Sequence, residues 1–348
     1  MNMREWKETV IHTPYKKGAP VLSFPVVQLM DITVQQLISS SDLQAEGMKK
    51  VADRCPSLAS LSMMDLTVEA ECFGAEVRFA DNEIPATIGA VVRSVDDANA
   101  LAVPPVGAGR TQTYIDAARK ASELITDRPV FAGIIGPFTL AGRLIGITQI
   151  MKAVKKNPEM VHITLRKATE FIIAYAKAYK EQTGVNGFVM AEPMTGLISP
   201  KMAEVFSEPY SKEVIDAVQD EEFIVIYHNC GNEVVSQAES IFRLGAEGYH
   251  FGNVVNMLDI LPKMPADSLV MGNIDPSGYF YSKGPEDMRG AVRELLEQCA
   301  YYPNFVISSG CDIAPVAKWE NIDAFYEEIA AFYEAHKISG GRLKAPLI

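Results

Sequence analysis

The chain has 348 residues, of which 48% are hydrophobic and 22% charged; these values are ordinary for a globular protein that buries a sizeable core. Its formal net charge of −12 argues against nucleic-acid binding, because contacts with phosphates need a surplus of Lys and Arg. The most apolar stretch, 129–142, is broken by Pro137 and falls short of the roughly 20 residues that span a bilayer, so we expect no membrane association.

Eight short apolar runs, many of them β-branched, are typical of buried strands. They lie at 21–24, 58–63, 130–135, 187–191, 223–227, 248–251, 268–271 and 304–308. Helical patterns lie between and after them, at 157–183, 199–219, 234–244, 285–300 and 322–335. This alternation implies parallel strands, and eight repeats predict an α/β protein closed into a (β/α)8 TIM barrel; an open doubly wound sheet is the alternative.

Two additions to the barrel are predicted. The first is an N-terminal helical extension, in which residues 33–54 are expected to cover one end of the barrel. The second is a small hairpin at 76–84, inserted after the second strand, with its turn at Asp81-Asn82. No low-complexity linker or internal repeat divides the chain, so residues 1–348 are expected to form a single domain.

Five cysteines are spread along the chain without the close spacing of a disulfide framework. Residues 1–8 lack the apolar core of a secretory signal peptide. We therefore expect a cytoplasmic protein, in which thiols stay reduced and are available as metal ligands.

Three of the residues that could carry chemistry directly follow predicted strands. His228 and Cys230 end the fifth run, and because residues two apart on a strand point to the same side, both should project together. Cys311 follows the eighth run at an equivalent boundary. Active sites of such barrels lie at the carboxyl ends of the strands. One imidazole and two thiolates suit Zn²⁺, and three protein ligands are typical of a catalytic zinc with one open position.

A core histidine beside two packed thiols is the competing interpretation, because free cysteine often serves as a small apolar residue. Cys55, Cys72 and Cys299 have no histidine nearby in the sequence and are interpreted as packing residues. The acidic residues within 65–71 are interpreted as the solvated start of a helix.

Further polar residues follow the fourth, sixth and seventh runs. Glu192 is predicted to be a catalytic fourth zinc ligand that a substrate displaces, or else a residue near the metal or a helix cap. His250, Asn273 and Asp275 are predicted to bind substrate at the same rim. A hydrogen bond to the next strand is the alternative for His250, and a cap or an Asx turn is the alternative for the other two.

Together these features resemble the uroporphyrinogen decarboxylase superfamily, and within it the methylcobamide:coenzyme M methyltransferase branch. The resemblance covers nearly the whole chain and rests on segments 65–71, 73–76, 136–139, 198–200, 209–210, 228–231, 272–276 and 309–311. The decarboxylases carry an arginine-containing segment near the amino terminus that grips substrate carboxylates, whereas residues 24–29 here contain no arginine. The resemblance therefore favours methyl transfer over decarboxylation.

The methyltransferase branch implies a zinc ion on His228, Cys230 and Cys311 and a methylcobamide as methyl donor. Zinc deprotonates a bound thiol, and the thiolate is the nucleophile, so a thiol acceptor such as coenzyme M would take the methyl group. No Arg or Lys suited to a sulfonate is obvious at the rim, which argues against coenzyme M itself. The chain lacks the Asp-x-His-x-x-Gly motif that supplies a lower cobalt ligand, so a separate corrinoid protein is the expected partner.

Three alternatives stay open on the sequence alone. The same ligands could serve a substrate-side methyltransferase that demethylates an O-, N- or S-methyl compound onto cob(I)alamin. A metal-free decarboxylase of porphyrinogens is the second alternative. A non-enzymatic protein that uses the barrel mouth for docking is the third.

Overall fold

The computed structural model describes residues 1–338. Within them the strands, in chain order, are β1 (Ser60–Leu61), β2 (Glu76–Arg78), β3 (Ala86–Ile88), β4 (Val130–Ile135), β5 (Gly187–Ala191), β6 (Ile224–Asn229), β7 (Gly248–Phe251), β8 (Leu269–Ile274) and β9 (Phe305–Ser309). Seven of these are parallel neighbours in one sheet, in the order β1-β4-β5-β6-β7-β8-β9, and β2 pairs with β3 alone. Chain order and sheet order coincide, as the alternating pattern predicts for a TIM barrel.

The helices surround this sheet. They are α1 (Met3–His12), α2 (Val26–Met30), α3 (Val34–Ile38), α4 (Ser41–Arg54), α5 (Val68–Cys72), α6 (Val95–Ala100), α7 (Thr111–Leu124), α8 (Pro137–Ile145), α9 (Ile147–Lys156), α10 (Pro158–Gln182), α11 (Pro200–Phe206), α12 (Glu208–Val218), α13 (Ala238–Phe242), α14 (Met257–Ile260), α15 (Pro285–Cys299) and α16 (Trp319–Ile338). Among residues 1–338, no helix combines the length and the apolarity needed to span a membrane.

The barrel is closed by residues 18–23, which lie between β1 and β9. Leu58 N–H donates to Gly18 O at 2.9 Å, and Ala19 N–H donates to Ile307 O at 2.9 Å. The strand predicted at 21–24 is wrong, since no strand forms there. Pro20 has no N–H to donate, and Val21 N–H donates to the side chain of Ser309 at 2.9 Å instead of a carbonyl. The segment therefore occupies the eighth position of the barrel without a regular ladder.

The register of the sheet places residues of neighbouring strands opposite one another at the same height in the barrel. Ala191 lies opposite His228, and His228 lies opposite His250. Because side chains alternate along a strand, Ile224, Ile226 and His228 of β6 share one face. The two isoleucines belong to the buried cluster inside the barrel, so the inner row of β6 ends in an imidazole.

The amino-terminal end of the barrel is covered by α1, and the prediction that residues 33–54 cover an end is wrong. Instead α4 packs against α7 in the outer ring of helices. Trp6 of α1 packs against Phe131 of β4 with ring centroids 6.1 Å apart, and Lys7 Nζ lies 2.5 Å from Glu247 Oε2. The predicted N-terminal helical extension therefore exists, and its first helix is the part that plugs the barrel.

The predicted hairpin insertion is present as β2 and β3, with Glu76 opposite Ile88. Its return strand begins at Ala86, later than predicted, because Pro85 cannot donate to the ladder. The helix predicted at 199–219 is two helices, since Ser207 leaves the helical conformation before Pro209. The helix predicted at 234–244 shrinks to α13.

The plug on the barrel predicts a stability change. Trp6→Ala should lower the free energy of unfolding by about 2–3 kcal/mol, because the partly buried indole leaves a cavity against Phe131. Glu5→Gln, an exposed change on the same helix, should alter it by less than about 0.5 kcal/mol. Urea unfolding followed by circular dichroism measures both, and equal effects of the two variants would contradict the plug.

Candidate metal centre

His228, Cys230 and Cys311 meet at the carboxyl-terminal mouth of the barrel. Their ligand atoms all lie within 4.8 Å of one another, and His228 is buried while both cysteines are partly exposed. Cys311 Sγ lies 3.7 Å from His228 Nε2. The structure thus brings together the three residues predicted as metal ligands, although they come from strands 83 residues apart in the chain.

The loops that carry the two cysteines pack closely against neighbouring backbone. A Cβ at Gly252 would lie 2.5 Å from Cβ of Cys230, and a Cβ at Gly231 would lie 2.4 Å from Cα of Gly196. Real Cβ atoms do not come this close, so any larger residue would move the loop. Glycine at 231 therefore allows the turn that aims Cys230 at the cluster.

The three side chains fit a zinc ion. Two ligands about 2.0–2.3 Å from zinc at a tetrahedral angle lie about 3.6 Å apart. The 3.7 Å between Cys311 Sγ and His228 Nε2 matches that edge. The donor types, one imidazole and two thiols, are those of catalytic zinc sites that keep a fourth position open.

The two thiols differ in acidity. A hydrogen bond with Cys311 lowers the pKa of Cys230, and the same hydrogen bond, together with burial, raises the pKa of Cys311 to about 12. Without metal, Cys230 is therefore the sulfur that more readily carries negative charge. A thiolate already formed is the state in which cysteine ligates metal.

His228 is held from behind by a second histidine. His228 Nδ1 lies 2.7 Å from His250 Nδ1, and His250 Nε2 lies 2.7 Å from Ser308 Oγ. Burial, and then the neighbouring imidazole, lower the pKa of His250 well below its ordinary value, so this ring is neutral. Both nitrogens of His250 are engaged inside the barrel.

Glu192 lies beside this cluster but is not among the atoms that converge there. It is fully buried, and its two oxygens accept hydrogen bonds from the N–H groups of Phe138 and Thr139, at 2.8 and 2.9 Å, and from the Thr139 hydroxyl at 2.6 Å. These donors form the start of α8, so Glu192 caps that helix from a neighbouring strand. Burial raises its pKa to about 7. A role in metal binding or catalysis stays a prediction.

Asn273 and Asp275 lie at the end of β8 on the same rim. The Asn273 amide nitrogen donates to the carbonyls of Gly252 and Val255, at 2.8 and 2.6 Å, and so holds the loop after β7. Asp275 accepts from the N–H of Ser277 at 3.0 Å, which is the Asx turn foreseen as its alternative. Their contact with a substrate, like that of His250, stays a prediction.

Sequence reasoning missed a buried polar network near the mouth. Asp65 and Glu69 are buried, so the interpretation of 65–71 as a solvated helix start is wrong for both. The carboxylate of Asp65 bonds to Arg110, which also binds Glu71 at 2.6 Å, and to the hydroxyl of Tyr114 at 3.0 Å. No local signal revealed this, because Arg110 and Tyr114 lie 45 and 49 residues from Asp65 in the chain.

Asp312 was also missed, although it directly follows a predicted ligand. Both of its carboxyl oxygens are shielded from solvent, and neither has a hydrogen-bond partner among residues 1–338. Burial, and then the nearby sulfur of Cys311, raise its pKa well above the ordinary value. The mouth is therefore lined by an acid that favours its neutral form.

The thiol acidities predict an order of chemical labelling. Iodoacetamide at neutral pH should modify Cys230 of the metal-free protein at least about tenfold faster than Cys299, because the thiolate is the nucleophile. Burial raises the pKa of Cys299 and of Cys55 to about 12. Added zinc should protect Cys230. Peptide mass spectrometry over time measures the order, and labelling of a buried thiol first would contradict it.

Known proteins share this architecture. Methylcobamide:CoM methyltransferase MtbA from Methanosarcina mazei is 25% identical over 309 residues, which are 85% of this chain and 89% of that protein. MtbA from Methanosarcina acetivorans is 26% identical over 267 residues, 76% of each chain. Uroporphyrinogen decarboxylase from Hydrogenovibrio crunogenus is 23% identical over 339 residues, covering 93% of this chain and 94% of that protein.

A solved structure of a methyltransferase from Methanosarcina mazei superposes with a TM-score of 0.83 at 22% identity, covering 95% of this chain and 98% of that one. The fold is therefore shared along nearly the whole length. The sequence profile of uroporphyrinogen decarboxylase (URO-D) matches residues 26–332. The chain belongs to the uroporphyrinogen decarboxylase (URO-D) family.

Proposed function

We propose that this protein is a zinc-dependent corrinoid methyltransferase that moves a methyl group from a methylated corrinoid protein to a small thiol. The observation that carries the proposal is the convergence of His228, Cys230 and Cys311 at the mouth of the barrel. Three such donors leave one position for an acceptor. The similarity to methylcobamide:CoM methyltransferases supports the same chemistry. Glu192, whose backbone N–H donates to the carbonyl of His228 at 2.8 Å, is a further candidate ligand.

Zinc, when bound, supplies a Lewis acid that lowers the pKa of a coordinated thiol. His228, Cys230 and Cys311 would hold the ion, and the two cysteine thiolates would offset its positive charge. A thiol bound in the remaining position would then stay electron-rich and nucleophilic. As the sulfur–methyl bond forms, the cobalt–carbon bond of the corrinoid breaks and its electron pair stays on cobalt.

The loops around the mouth offer a surface for a protein partner. Each of the connections after β5, β7, β8 and β9 carries an exposed apolar side chain; these are Leu197, Val254, Tyr281 and Val316. Exposed apolar side chains around one opening are typical of an interaction site. A corrinoid protein that docks here would bring its methyl group over the cysteines, and Asn273 and Asp275 would contact the thiol from β8.

Decarboxylation of a porphyrinogen is disfavoured by the segment that follows residue 23. Phe24 and Val26 are buried, and the Gln28 side chain donates to the carbonyls of Pro315 and Ala317, at 2.6 and 2.8 Å. Phe24 and Val26 therefore pack in the core, and the amide of the exposed Gln28 is bound to the loop after β9. A substrate with many carboxylates would find no arginine in residues 24–29.

The central experiment measures zinc content and methyl transfer together. The purified protein should hold one equivalent of zinc and demethylate free methylcobalamin when a small thiol such as 2-mercaptoethanesulfonate or dithiothreitol is added. Chelation should abolish the activity and zinc should restore it. Cys311→Ala should lose both the metal and at least about 100-fold in rate, while Cys299→Ala should keep both, because Cys299 ends α15 ahead of β9 and packs in the core.

Absence of stoichiometric zinc, or equal activity of the two cysteine variants, would overturn the proposal. Methylation of cob(I)alamin by an O-, N- or S-methyl compound, with no thiol methylation, would favour the substrate-side direction. Formation of coproporphyrinogen from uroporphyrinogen would favour a decarboxylase.

The docking surface predicts a separate effect. Leu197→Asp should slow transfer from a methylated corrinoid protein at least about tenfold, because a buried charge weakens an apolar contact. It should leave transfer from free methylcobalamin unchanged. Leu124→Asp, on an equally exposed leucine at the end of α7, is the matched control and should affect neither. A loss with both methyl donors would place Leu197 in folding or catalysis instead.

A further inference from the structure

We propose that His250 and Ser308 are positioning residues that fix the tautomer of His228, so that His228 Nε2 keeps its lone pair turned towards the cysteines. The inference rests on the proposed function only for the identity of the metal. The arrangement itself is a chain of hydrogen bonds that crosses the barrel interior, and its direction follows from which atoms are able to donate.

Ser308 determines the direction of this chain of hydrogen bonds. Its hydroxyl donates to the carbonyl oxygen of Ala19 at 2.8 Å, and a carbonyl can only accept. A hydroxyl has one hydrogen, so Ser308 Oγ must accept in its second contact. That contact is with His250 Nε2 at 2.7 Å, which places the proton of His250 on Nε2.

The same reasoning passes through His250. A neutral imidazole carries one N–H, so His250 Nδ1 is a bare acceptor. It lies 2.7 Å from His228 Nδ1, which must therefore carry a hydrogen and donate it. The remaining nitrogen of His228, Nε2, is left without a proton, and it is the atom that lies 3.7 Å from Cys311 Sγ.

A second acceptor supports this direction independently. The backbone carbonyl oxygen of His250 lies 3.2 Å from His228 Nδ1, and it too can only accept. Two acceptors therefore surround the Nδ1 hydrogen of His228. Reversal of all these hydrogen bonds would leave the carbonyls of Ala19 and His250 without their donors and would turn the Nδ1 lone pair of His228 towards the His250 carbonyl.

The consequence concerns metal binding. Free histidine in water favours the proton on Nε2, which is the opposite of the tautomer fixed here. Without the chain, a fraction of the protein would point an N–H at the ligand position, and that proton would have to move before a metal could bind. The hydrogen-bond chain also links β6, β7 and β9 to residues 18–23, so the contacts that close the barrel help to orient His228.

The metal-free protein provides the direct test. In protein labelled with ¹⁵N in its histidines, long-range ¹⁵N–¹H correlation distinguishes the two tautomers of each ring. We expect His228 as the Nδ1–H form and His250 as the Nε2–H form, with His228→Asn and His250→Asn used to assign the signals. The Nε2–H form of His228 in the wild-type protein would overturn the proposal.

Two sets of variants separate positioning from a merely structural role. Ser308→Ala removes the acceptor of His250 Nε2–H, while Ser309→Ala removes a neighbouring, equally buried hydroxyl that accepts from Val21 N–H. Ser308→Ala should shift the tautomers and weaken zinc binding about tenfold in competition with a chromophoric chelator. Ser309→Ala should change the zinc affinity by less than about twofold.

At position 250, Asn and Leu have nearly the same shape. His250→Asn keeps an acceptor oxygen near the position of Nδ1 and should retain most of the zinc affinity, whereas His250→Leu should lose it at least about tenfold. Equal losses in His250→Asn and His250→Leu, or in Ser308→Ala and Ser309→Ala, would overturn the positioning role. The tautomers are read without metal or turnover, so a failed methyl-transfer assay leaves this test intact.

Discussion

Closure of the barrel by residues 18–23 is the constraint on which the site depends. β6 and β9 are three strand pairings apart in the sheet, and the curvature that closure requires brings Cys311 to the imidazole of His228. The closing contacts are few, since Pro20 lacks an N–H and Val21 uses a side-chain acceptor. The hydroxyls of Ser308 and Ser309 replace part of the missing ladder, so side-chain hydrogen bonds hold part of a seam that an ordinary strand pair would hold with backbone alone.

Much of this arrangement follows from the sequence. Seven of the eight apolar runs form parallel neighbours, because periodic burial and strand–helix alternation are strong local signals. The three candidate ligands could also be predicted, since the active sites of such barrels lie at strand ends and His and Cys are specific types of metal ligand. The prediction of a strand at 21–24 failed. The apolar pattern there matches a strand, but Pro20 has no N–H for the hydrogen bonds of a regular ladder.

Other features depend on partners that a local pattern does not reveal. Glu192 follows a strand like a ligand, yet the start of α8, more than fifty residues earlier, supplies its hydrogen bonds. The local sequence predicts that Asp65 is solvated, whereas in the structure Arg110 and Tyr114 lie beside it and bind its carboxylate. Burial of a charge is tolerable only when it is paired and hydrogen-bonded, so the identity of the partner decides the environment. Which residue lies beside a buried acid is decided by the tertiary structure and not by the local sequence.

One contact in the mouth of the barrel joins the loop that carries Leu197 to the loop that carries Cys230. The backbones at Gly196 and Gly231 touch with no room for a side chain, and Glu233 N–H donates to Gly196 O at 3.1 Å. Gly196 precedes Leu197, whereas Gly231 follows Cys230. Neither loop has room to shift against the other. If a corrinoid protein docks on the first loop as proposed, a displacement of that loop would also displace the Cys230 sulfur on the second.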